Sequence, residues 1–293
     1  MKPPLVSVIV TTKNNHATLD ACLLSISRQD YGNIELLVID NDSTDDTKEI
    51  AGTYTPLVFN KGPERSAQRN FGAEKANGRY VLIIDSDMEL SPEVVSSCIQ
   101  NIQADPQLKV LIIPEESFGE GFWARCKQLE RSFYVGMDSI EAARFFDKTV
   151  YQAVGGYNES MTGGEDWDLT NRLRAQGLAI GRAQAFIYHN EGRPRFTRTA
   201  RKMYYYARHA AAYFAQNPTA SALTDKSGPL ERYKLFFSKP GKLFKNPLVG
   251  AGMLLLKTAE YAAGGLGYLQ ARRSRRPDQS SQGQGQSQGQ EAA

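Results

Sequence analysis

The sequence predicts an α/β fold, an open sheet flanked by helices, followed by a helical C-terminal segment of different character. The first half of the chain alternates short apolar runs with segments of helical periodicity, the pattern of strand–helix–strand units. The apolar runs are rich in Val, Ile and Leu, which is typical of strands buried on both faces of a sheet. Hydrophobic residues make up 41% of the 293 residues, enough for a sizeable core.

Five apolar runs are predicted as strands: Leu5–Val10, Ile34–Ile39, Leu57–Phe59, Tyr80–Ile84 and Val110–Ile113. The first helix lies between the first two runs, because Leu19, Cys22, Leu23 and Ile26 share one helical face. Strands alternating with helices in this way predict right-handed βαβ units.

Start signals predict two further helices. Ser43 with Asp46 resembles a capping box, and Ser91-Pro92-Glu93 combines an N-cap, an N1 proline and an early acid. Later elements are a helix over Phe122–Arg131, a strand near Arg144–Phe146, a helix from Lys148 to the Gly155-Gly156 pair, a helix over Asp166–Gln176, a strand over Ala185–Tyr188 and a helix over Thr199–Gln216.

The chain changes character after residue 217. We predict one globular domain over 1–217, a basic and aromatic linker over 218–246, an apolar membrane-associating helix over 247–272 and a disordered tail over 273–293. The apolar stretch Leu248–Leu269 is close to the ~20 residues that span a bilayer. It carries Lys257 and Glu260, however, and both flanks are basic. We therefore favour a helix lying in the membrane surface, with a spanning helix or a hairpin packed on the domain as alternatives.

Net charge and cysteine usage indicate the class of partner and the compartment of the protein. A net charge of +3 does not indicate nucleic-acid binding. Three scattered cysteines, Cys22, Cys98 and Cys126, predict reduced core thiols. Leu5–Val10 is too short for the apolar region of a signal peptide. We expect a cytoplasmic protein attached to the inner face of the membrane.

Polar residues follow three of the apolar runs. Thr11 follows the first, Asp40 and Asp42 the second, and Asp85 and Asp87 the fourth. Ligands of open α/β sheets bind at the carboxyl ends of the strands, so these side chains predict one site. The two carboxylates of Asp85-Ser86-Asp87 suit Mg²⁺ or Mn²⁺ shared with phosphate oxygens. The alternative is a solvated turn that caps the next helix.

No glycine-rich phosphate loop follows the first strand. The charge of a nucleotide ligand must then be met by metal and by basic side chains. Arg65 and Arg69, four residues apart before the Asp85 motif, are the candidates; the alternative is a solvated helix face.

Three separated stretches resemble the family 2 glycosyltransferases. They are "LVSVIVTTKNNHATLDACLLSISRQDYGNIELLVIDNDSTDDT" at Leu5–Thr47, Asn70-Phe71-Gly72-Ala73 through "GRYVLIIDSDMEL", and "VGGYNESMTGGEDWDLTNRLRAQG" at Val154–Gly177. The resemblance covers about residues 5–190. It implies a GT-A type fold, with an open mixed sheet that binds the nucleotide, and inverting transfer of a sugar from a nucleoside diphosphate.

The resemblance also implies roles for individual residues. Thr11 and Asp40 would contact the nucleoside, Asp85 would lie near the ribose, and Asp87 would ligate the metal. Asp166, from the Glu165-Asp166 pair, would be the general base. The alternative is that these acids only complement the helix dipole.

A base at this position suits the chemistry, because a single displacement needs one carboxylate to take the proton of the acceptor hydroxyl. His189 follows the last predicted strand, and the resemblance makes it a further metal or phosphate contact; a buried structural imidazole is the alternative.

We expect a UDP-sugar donor, with a GDP-sugar as the alternative, and a lipid-linked or glycan acceptor at the membrane surface. Phe196 follows Arg195, so the arginine–tryptophan motif of processive synthases is missing and transfer of a single sugar is expected. The rival functions are a nucleotidyltransferase-like enzyme and a sugar-nucleotide-binding protein without catalysis.

Overall fold

A computed structural model describes residues 2–161, 163–216 and 228–273. Its strands are Val6–Thr12 (β1), Ile34–Asp40 (β2), Val58–Asn60 (β3), Tyr80–Asp85 (β4), Met88–Leu90 (β5), Val110–Ile112 (β6), Glu115–Phe118 (β7), Ala143–Asp147 (β8), Ile180–Arg182 (β9) and Ile187–Asn190 (β10). Its helices are His16–Ser27 (α1), Thr47–Tyr54 (α2), Arg65–Lys75 (α3), Val94–Ala104 (α4), Gly121–Ser132 (α5), Lys148–Ala153 (α6), Glu165–Ala175 (α7), Phe196–Gln216 (α8), Pro229–Ser238 (α9), Pro240–Leu243 (α10) and Pro247–Arg273 (α11).

The main sheet has the strand order β3-β2-β1-β4-β8-β6-β9. The first four strands are parallel, whereas β8 runs antiparallel to both β4 and β6. The predicted open mixed sheet flanked by helices is therefore confirmed. A second sheet, β5-β10-β7, lies beside it.

The central strands are buried on both faces, as predicted. All seven residues of β1 are buried. Val8 and Val10 face one apolar cluster with α1, and Ile9 faces the other with Val81 and Ile83 of β4. The three cysteines are free and buried, as expected of core thiols, and burial raises the pKa of Cys126 to about 11.

The predicted helix starts at Ser43 and Ser91 are wrong in detail. Helix α2 begins at Thr47, and Asp45 rather than Asp46 accepts a hydrogen bond from the Thr47 backbone N–H, at 3.2 Å. Ser43 instead donates its hydroxyl to Asp40. Helix α4 begins at Val94, two residues beyond the predicted start, because the Ser91 hydroxyl is used as an acceptor by the backbone N–H of Phe186.

The predicted strand Ala185–Tyr188 is shifted along the chain to Ile187–Asn190. Its partner strands set the boundary, since β10 pairs His189 with Met88 of β5 and with Ser117 of β7. The shift places His189 inside a strand rather than after one.

Helix α11 packs against the domain through the charges that interrupt its apolar sequence. Lys257 Nζ lies 2.5 Å from Glu130 of α5 and 2.5 Å from Glu260, and Lys127 lies 2.6 Å from Glu260. Burial alone would raise the pKa of Glu130, but Lys257 and Lys127 outweigh it and lower that pKa to about 2. This face of α11 therefore matches the packed alternative.

The opposite face of α11 is apolar and exposed. Leu248, Leu255, Leu266 and Leu269 fall on one helical stripe, each more than half exposed. Among the described residues, the structure contains no helix with the length and apolarity needed to cross a bilayer. Membrane association stays a prediction. Of the predicted tail over 273–293, all but residue 273 lies outside the described residues. Residues 218–227 of the predicted linker also lie outside them.

Glycines set the close approach of α11 to α8. A Cβ at Gly267 would lie 2.3 Å from the backbone oxygen of Tyr204 in α8, a contact that real side chains do not make. A Cβ at Gly265, two residues earlier in the same helix, would meet nothing within 4 Å.

This pair gives a matched test of the packing. Gly267→Ala should lower the free energy of unfolding by ~1–3 kcal/mol, because the two helix backbones must move apart. Gly265→Ala should be neutral or stabilising by up to ~1 kcal/mol, because alanine is the better helix former. Urea denaturation of both variants measures this, and equal midpoints would contradict the close packing of α8 on α11.

Candidate active site

The strand ends of the main sheet bring the predicted polar residues together. Thr11 of β1 lies opposite Asp85 of β4, and its hydroxyl donates to Asp85 Oδ1 at 2.9 Å. On the other side, Thr12 lies opposite Asp40 at the end of β2. The parallel register therefore places three chain segments at one edge, as expected from the sequence.

Asp40 and Asp42 occupy the turn that follows β2. Asp40 is buried and accepts hydrogen bonds from the backbone N–H and the hydroxyl of Ser43, the first at 2.8 Å. Asp42 has φ 50°, in the left-handed region, and accepts from the Asn60 amide at 2.5 Å. The turn is thus held in shape by the same carboxylates that were predicted to contact the nucleoside.

Arg69 of α3 joins two distant parts of the site. Its guanidinium is fully buried and donates to both oxygens of Asp85, at 2.8 and 3.0 Å. Its other terminal nitrogen donates to Asp166 at 2.9 Å and to Glu165 at 3.2 Å, both in the first turn of α7. The Tyr157 ring lies 4.8 Å from the guanidinium carbon.

The structure corrects the prediction that Arg69 meets the charge of a nucleotide. The Arg69 guanidinium is fully buried, both terminal nitrogens hold carboxylates, and the remaining donor, Nε, is buried without a partner among the described residues. Arg69 therefore positions the acids. Arg65 lies one turn earlier, and its Nη2 is 3.2 Å from Glu165 Oε1. Its side chain is 45% exposed, so Arg65 remains the candidate to meet the charge of a nucleotide.

Glu165 and Asp166 are adjacent but differ in environment. Gly164, with φ 79°, begins the helix in the left-handed region and turns both acids toward α3. The Glu165 side chain is 4% exposed and held by Arg65 and Arg69. The Asp166 side chain is 25% exposed, so Asp166 is the more accessible of the two acids.

Asp87 and His189 meet on the second sheet. Their side chains lie 3.3 Å apart, Oδ2 to Nε2, and Asp87 Oδ1 is buried without a hydrogen-bond partner among the described residues. Burial would lower the pKa of His189, but the hydrogen bond and charge of Asp87 outweigh it and raise that pKa. No group of three or more His, Cys, Asp or Glu ligands comes together within the described part of the chain.

A cavity of about 280 Å³ opens above these acids. Asp85, Asp166 and His189 line it with Arg65. Sequence reasoning missed several other lining residues: Glu115, Arg131, Tyr134, Glu141, Arg144 and Trp167. Arg144 had a detectable signal, because it is the one basic residue in the otherwise apolar strand start "ARFF".

Glu115 and Arg144 form a second buried ion pair at the base of the cavity. Glu115 Oε1 lies 2.5 Å from Arg144 Nε, and Glu115 Oε2 lies 2.5 Å from Arg131. Burial would raise the pKa of Glu115, but the two arginines outweigh it and lower that pKa to about 2. Arg144 Nη2 also lies 3.9 Å from Asp166 Oδ2, so Asp166 is flanked by an arginine on each side.

Two family profiles match this chain. The one described as glycosyl transferase family 2 matches residues 7–156, and the one described as N-terminal domain of galactosyltransferase matches residues 143–198. Together they cover the strand ends, α3 and the acidic turn of α7.

Curated relatives agree with the first profile. The chain is 27% identical over 194 residues to a PGL/p-HBAD biosynthesis glycosyltransferase of Mycobacterium tuberculosis, covering 62% of this chain and 74% of that protein. It is 31% identical over 107 residues to the GalNAc(5)-diNAcBac-PP-undecaprenol beta-1,3-glucosyltransferase of Campylobacter jejuni, covering 33% and 34%. A match to the uncharacterized protein y4gI of Sinorhizobium fredii, 28% identical, covers 63% of this chain but 22% of that protein.

Solved structures share the fold over nearly the whole chain. The Pyrobaculum calidifontis mannosyltransferase PcManGT, in complex with GDP-Man and Mn²⁺, has a TM-score of 0.56 at 18% identity, covering 91% of this chain and 87% of that one. S. aureus TarS 1–349, in complex with UDP-GlcNAc, has a TM-score of 0.53 at 17% identity, covering 92% and 91%.

At such identities these structures show the fold alone, and the family profile, which spans more than half of the chain, shows the family. The chain therefore belongs to glycosyl transferase family 2 and is a glycosyltransferase with a GT-A-like fold.

Proposed function

We propose that the protein transfers a single sugar from a nucleoside diphosphate sugar to an acceptor hydroxyl, with inversion and with Asp166 as general base. The observation that carries the proposal is that Asp166, the partly exposed member of the acidic pair, lines the same cavity as Asp85 and His189. Thr11 lies beside Asp85, and Asp40 ends β2 on the other side of β1, at the edge where the nucleoside would bind.

The reaction is a single displacement. The acceptor oxygen attacks the anomeric carbon, and its proton passes to an oxygen of Asp166 as the new C–O bond forms. The bond from the anomeric carbon to the phosphate oxygen breaks, and its electron pair leaves with the nucleoside diphosphate. Arg69 and Arg144 hold Asp166 in place from two sides.

The donor is a UDP-sugar in this proposal, with a GDP-sugar as the alternative. Structures of similar fold hold each of the two, UDP-GlcNAc in TarS and GDP-Man in the Pyrobaculum enzyme. Thr11, Asp40 and Asp42 would bind the nucleoside, Asp85 would lie near the ribose, and Arg65 would meet the diphosphate.

The donor set around Asp87 fits a divalent cation, Mn²⁺ or Mg²⁺. Asp87 Oδ1 is a buried carboxylate oxygen without a partner in the described structure, and His189 Nε2 lies close to the other oxygen. The bound cation would neutralise charge on the leaving diphosphate. Asp85, also predicted as a ligand, already receives two hydrogen bonds from Arg69 and one from Thr11, so Asp87 and His189 carry this proposal.

The acceptor is a lipid-linked or cell-envelope glycan intermediate in this proposal, reached from the cytoplasmic membrane surface. Besides the exposed leucine stripe of α11, the segment that precedes this helix exposes Phe237 and Phe244, with Lys239 and Lys245 near them in sequence. Apolar side chains with flanking lysines suit the boundary of an anionic bilayer. The names of two relatives also refer to PGL/p-HBAD biosynthesis and to an undecaprenol-linked substrate.

Asp87→Ala tests the metal proposal. We expect donor affinity in the presence of Mn²⁺ to fall at least ~10-fold, with an unchanged melting temperature, because the partly exposed side chain contributes little packing. Calorimetric titration of UDP-sugars and GDP-sugars, with and without Mn²⁺, measures this. Equal donor affinity with and without metal in the unmodified protein would contradict the proposal.

Asp166→Asn tests the base. The substitution is nearly isosteric, so donor binding should persist while kcat falls by ~10²–10⁴-fold. The matched control is Asp168→Asn, two residues along the same helix, where the carboxylate pairs with Arg172 at 2.8 Å and lines no part of the cavity. Near-normal turnover of Asp166→Asn, or an equal loss in both variants, would remove Asp166 from the role of base.

Leu248→Glu tests membrane attachment. The unmodified protein should sediment with vesicles containing phosphatidylglycerol and less with pure phosphatidylcholine. High salt should release it only in part, because salt screens the lysines but leaves the apolar contact. Leu248→Glu should bind at least ~10-fold more weakly, since it places a charge in the apolar stripe. An unmodified protein that stays in the supernatant with both vesicles would contradict the proposal.

A further inference from the structure

Glu141 lines the cavity and carries an unused acceptor. It lies just before β8 and is 9% exposed. Its Oε2 accepts hydrogen bonds from Arg182 and from the Gly136 backbone N–H, the latter at 2.8 Å. Its Oε1 is buried and has no hydrogen-bond partner among the described residues. A fixed, desolvated carboxylate oxygen without a donor is costly, which is tolerable where a ligand supplies the donor.

Arg144 carries an unused donor on the same side of the cavity. The residue is 5% exposed, and its Nε and Nη2 face Glu115 and Asp166. Its Nη1 is buried and has no acceptor among the described residues. Glu141 and Arg144 both line the cavity, so a residue with an unpartnered acceptor and a residue with an unpartnered donor border the same space.

Trp167 also lines the cavity, and Glu141, Arg144 and Trp167 together are called the wall below. It follows Asp166 directly, and its indole N–H donates to the backbone oxygen of Ile140 at 2.5 Å. This bond fixes the ring against the segment that carries Glu141. The indole is 37% exposed, so a large aromatic surface faces the opening.

We propose that Glu141, Arg144 and Trp167 form the acceptor subsite, and that it takes a neutral sugar ring. The inference rests on the proposed function and narrows its acceptor to one whose attacking hydroxyl belongs to a sugar. A sugar hydroxyl donates to a carboxylate and accepts from a guanidinium at the same time. The apolar C–H face of the ring packs on an aromatic side chain, whose surface favours such contact.

The position of the wall favours the acceptor over the donor. In the strand order, β8 lies beyond β4 on the side away from β1 and β2. The nucleoside residues Thr11 and Asp40 end β1 and β2, so the donor extends from there past Asp85. Glu141 directly precedes β8 and Trp167 directly follows Asp166, so the attacking hydroxyl in this proposal approaches its base from the β8 side of the cavity.

The charges of the cavity favour a neutral acceptor over a phosphate. Five carboxylates line it: Asp85, Glu115, Glu141, Glu165 and Asp166. The three lining arginines, Arg65, Arg131 and Arg144, each contact one of these carboxylates already. A phosphate on the acceptor side would face the free oxygen of Glu141 and be repelled by it.

The experiment compares acceptors on the unmodified, full-length protein. Transfer is measured from whichever of UDP-glucose, UDP-N-acetylglucosamine or GDP-mannose is consumed fastest, with Mn²⁺, to octyl β-D-glucoside, octyl N-acetyl-β-D-glucosaminide or octyl phosphate. We expect transfer to at least one glycoside and none to octyl phosphate. Transfer to octyl phosphate alone would overturn the subsite, while absence of any donor consumption would overturn the proposed function itself.

Glu141→Gln then tests the residue. The amide keeps an oxygen for Arg182 and Gly136 but turns the free acceptor into a donor. The KM for the glycoside should rise ~10-fold or more, and far more than the KM for the donor sugar nucleotide. The matched control is Asp138→Asn, the other acid on Arg182, which is 73% exposed and lines no part of the cavity; both KM values should stay unchanged there. A rise in the donor KM instead would place Glu141 on the donor and overturn the assignment.

Discussion

The site depends on one buried cation, the guanidinium of Arg69. A charge removed from water must be matched by opposite charge and hydrogen bonds, or the fold loses several kcal/mol. Arg69 is matched by Asp85, Glu165 and Asp166, which come from the end of β4 and the start of α7. Removing any one of these acids would leave the guanidinium undercompensated. The nucleotide-side strand ends and the acidic turn of α7 are therefore held at a fixed spacing by electrostatics as well as by packing.

The ion pairs with Arg69 place the three acids in different environments. Burial would raise the pKa of Asp85, but Arg69 and its neighbouring arginines hold that pKa well below its usual range, so the carboxylate stays ionised. Glu165 is buried, and its Oε1 contacts both Arg65 and Arg69. Asp166 shares Arg69 through one oxygen and keeps its side chain open to the cavity. Adjacent residues in sequence thus become a structural acid and a chemically available one.

The C-terminal helix α11 packs against the domain through a buried ion pair with α5. Glu130 accepts from Lys257 of α11 and also from the Tyr134 hydroxyl, at 2.8 Å. Tyr134 lines the cavity. The buried carboxylate of Glu130 therefore contacts both a residue of the cavity and helix α11. The leucine stripe on the other face of α11 is left for another surface. One helix therefore packs on the domain with its charged face and leaves its apolar face exposed.

Local sequence determined most strands of the main sheet and most helices, because periodicity and strand ends are read from neighbouring residues, but the short strands β5, β7 and β9 were not predicted. The apolar runs and Asp85-Ser86-Asp87 were predictable in this way, whereas the Glu165-Asp166 pair and the mixed sheet were implied by the family resemblance, and the mixed sheet was confirmed. Only the tertiary structure decided that Arg69 is buried as a positioning residue, and that Lys257 pairs with Glu130. It alone also brought Glu115 and Arg144 together beneath the cavity. The physical reason is that the environment of a charged side chain is set by partners far along the chain. The residues next to it in sequence do not indicate which partners these are.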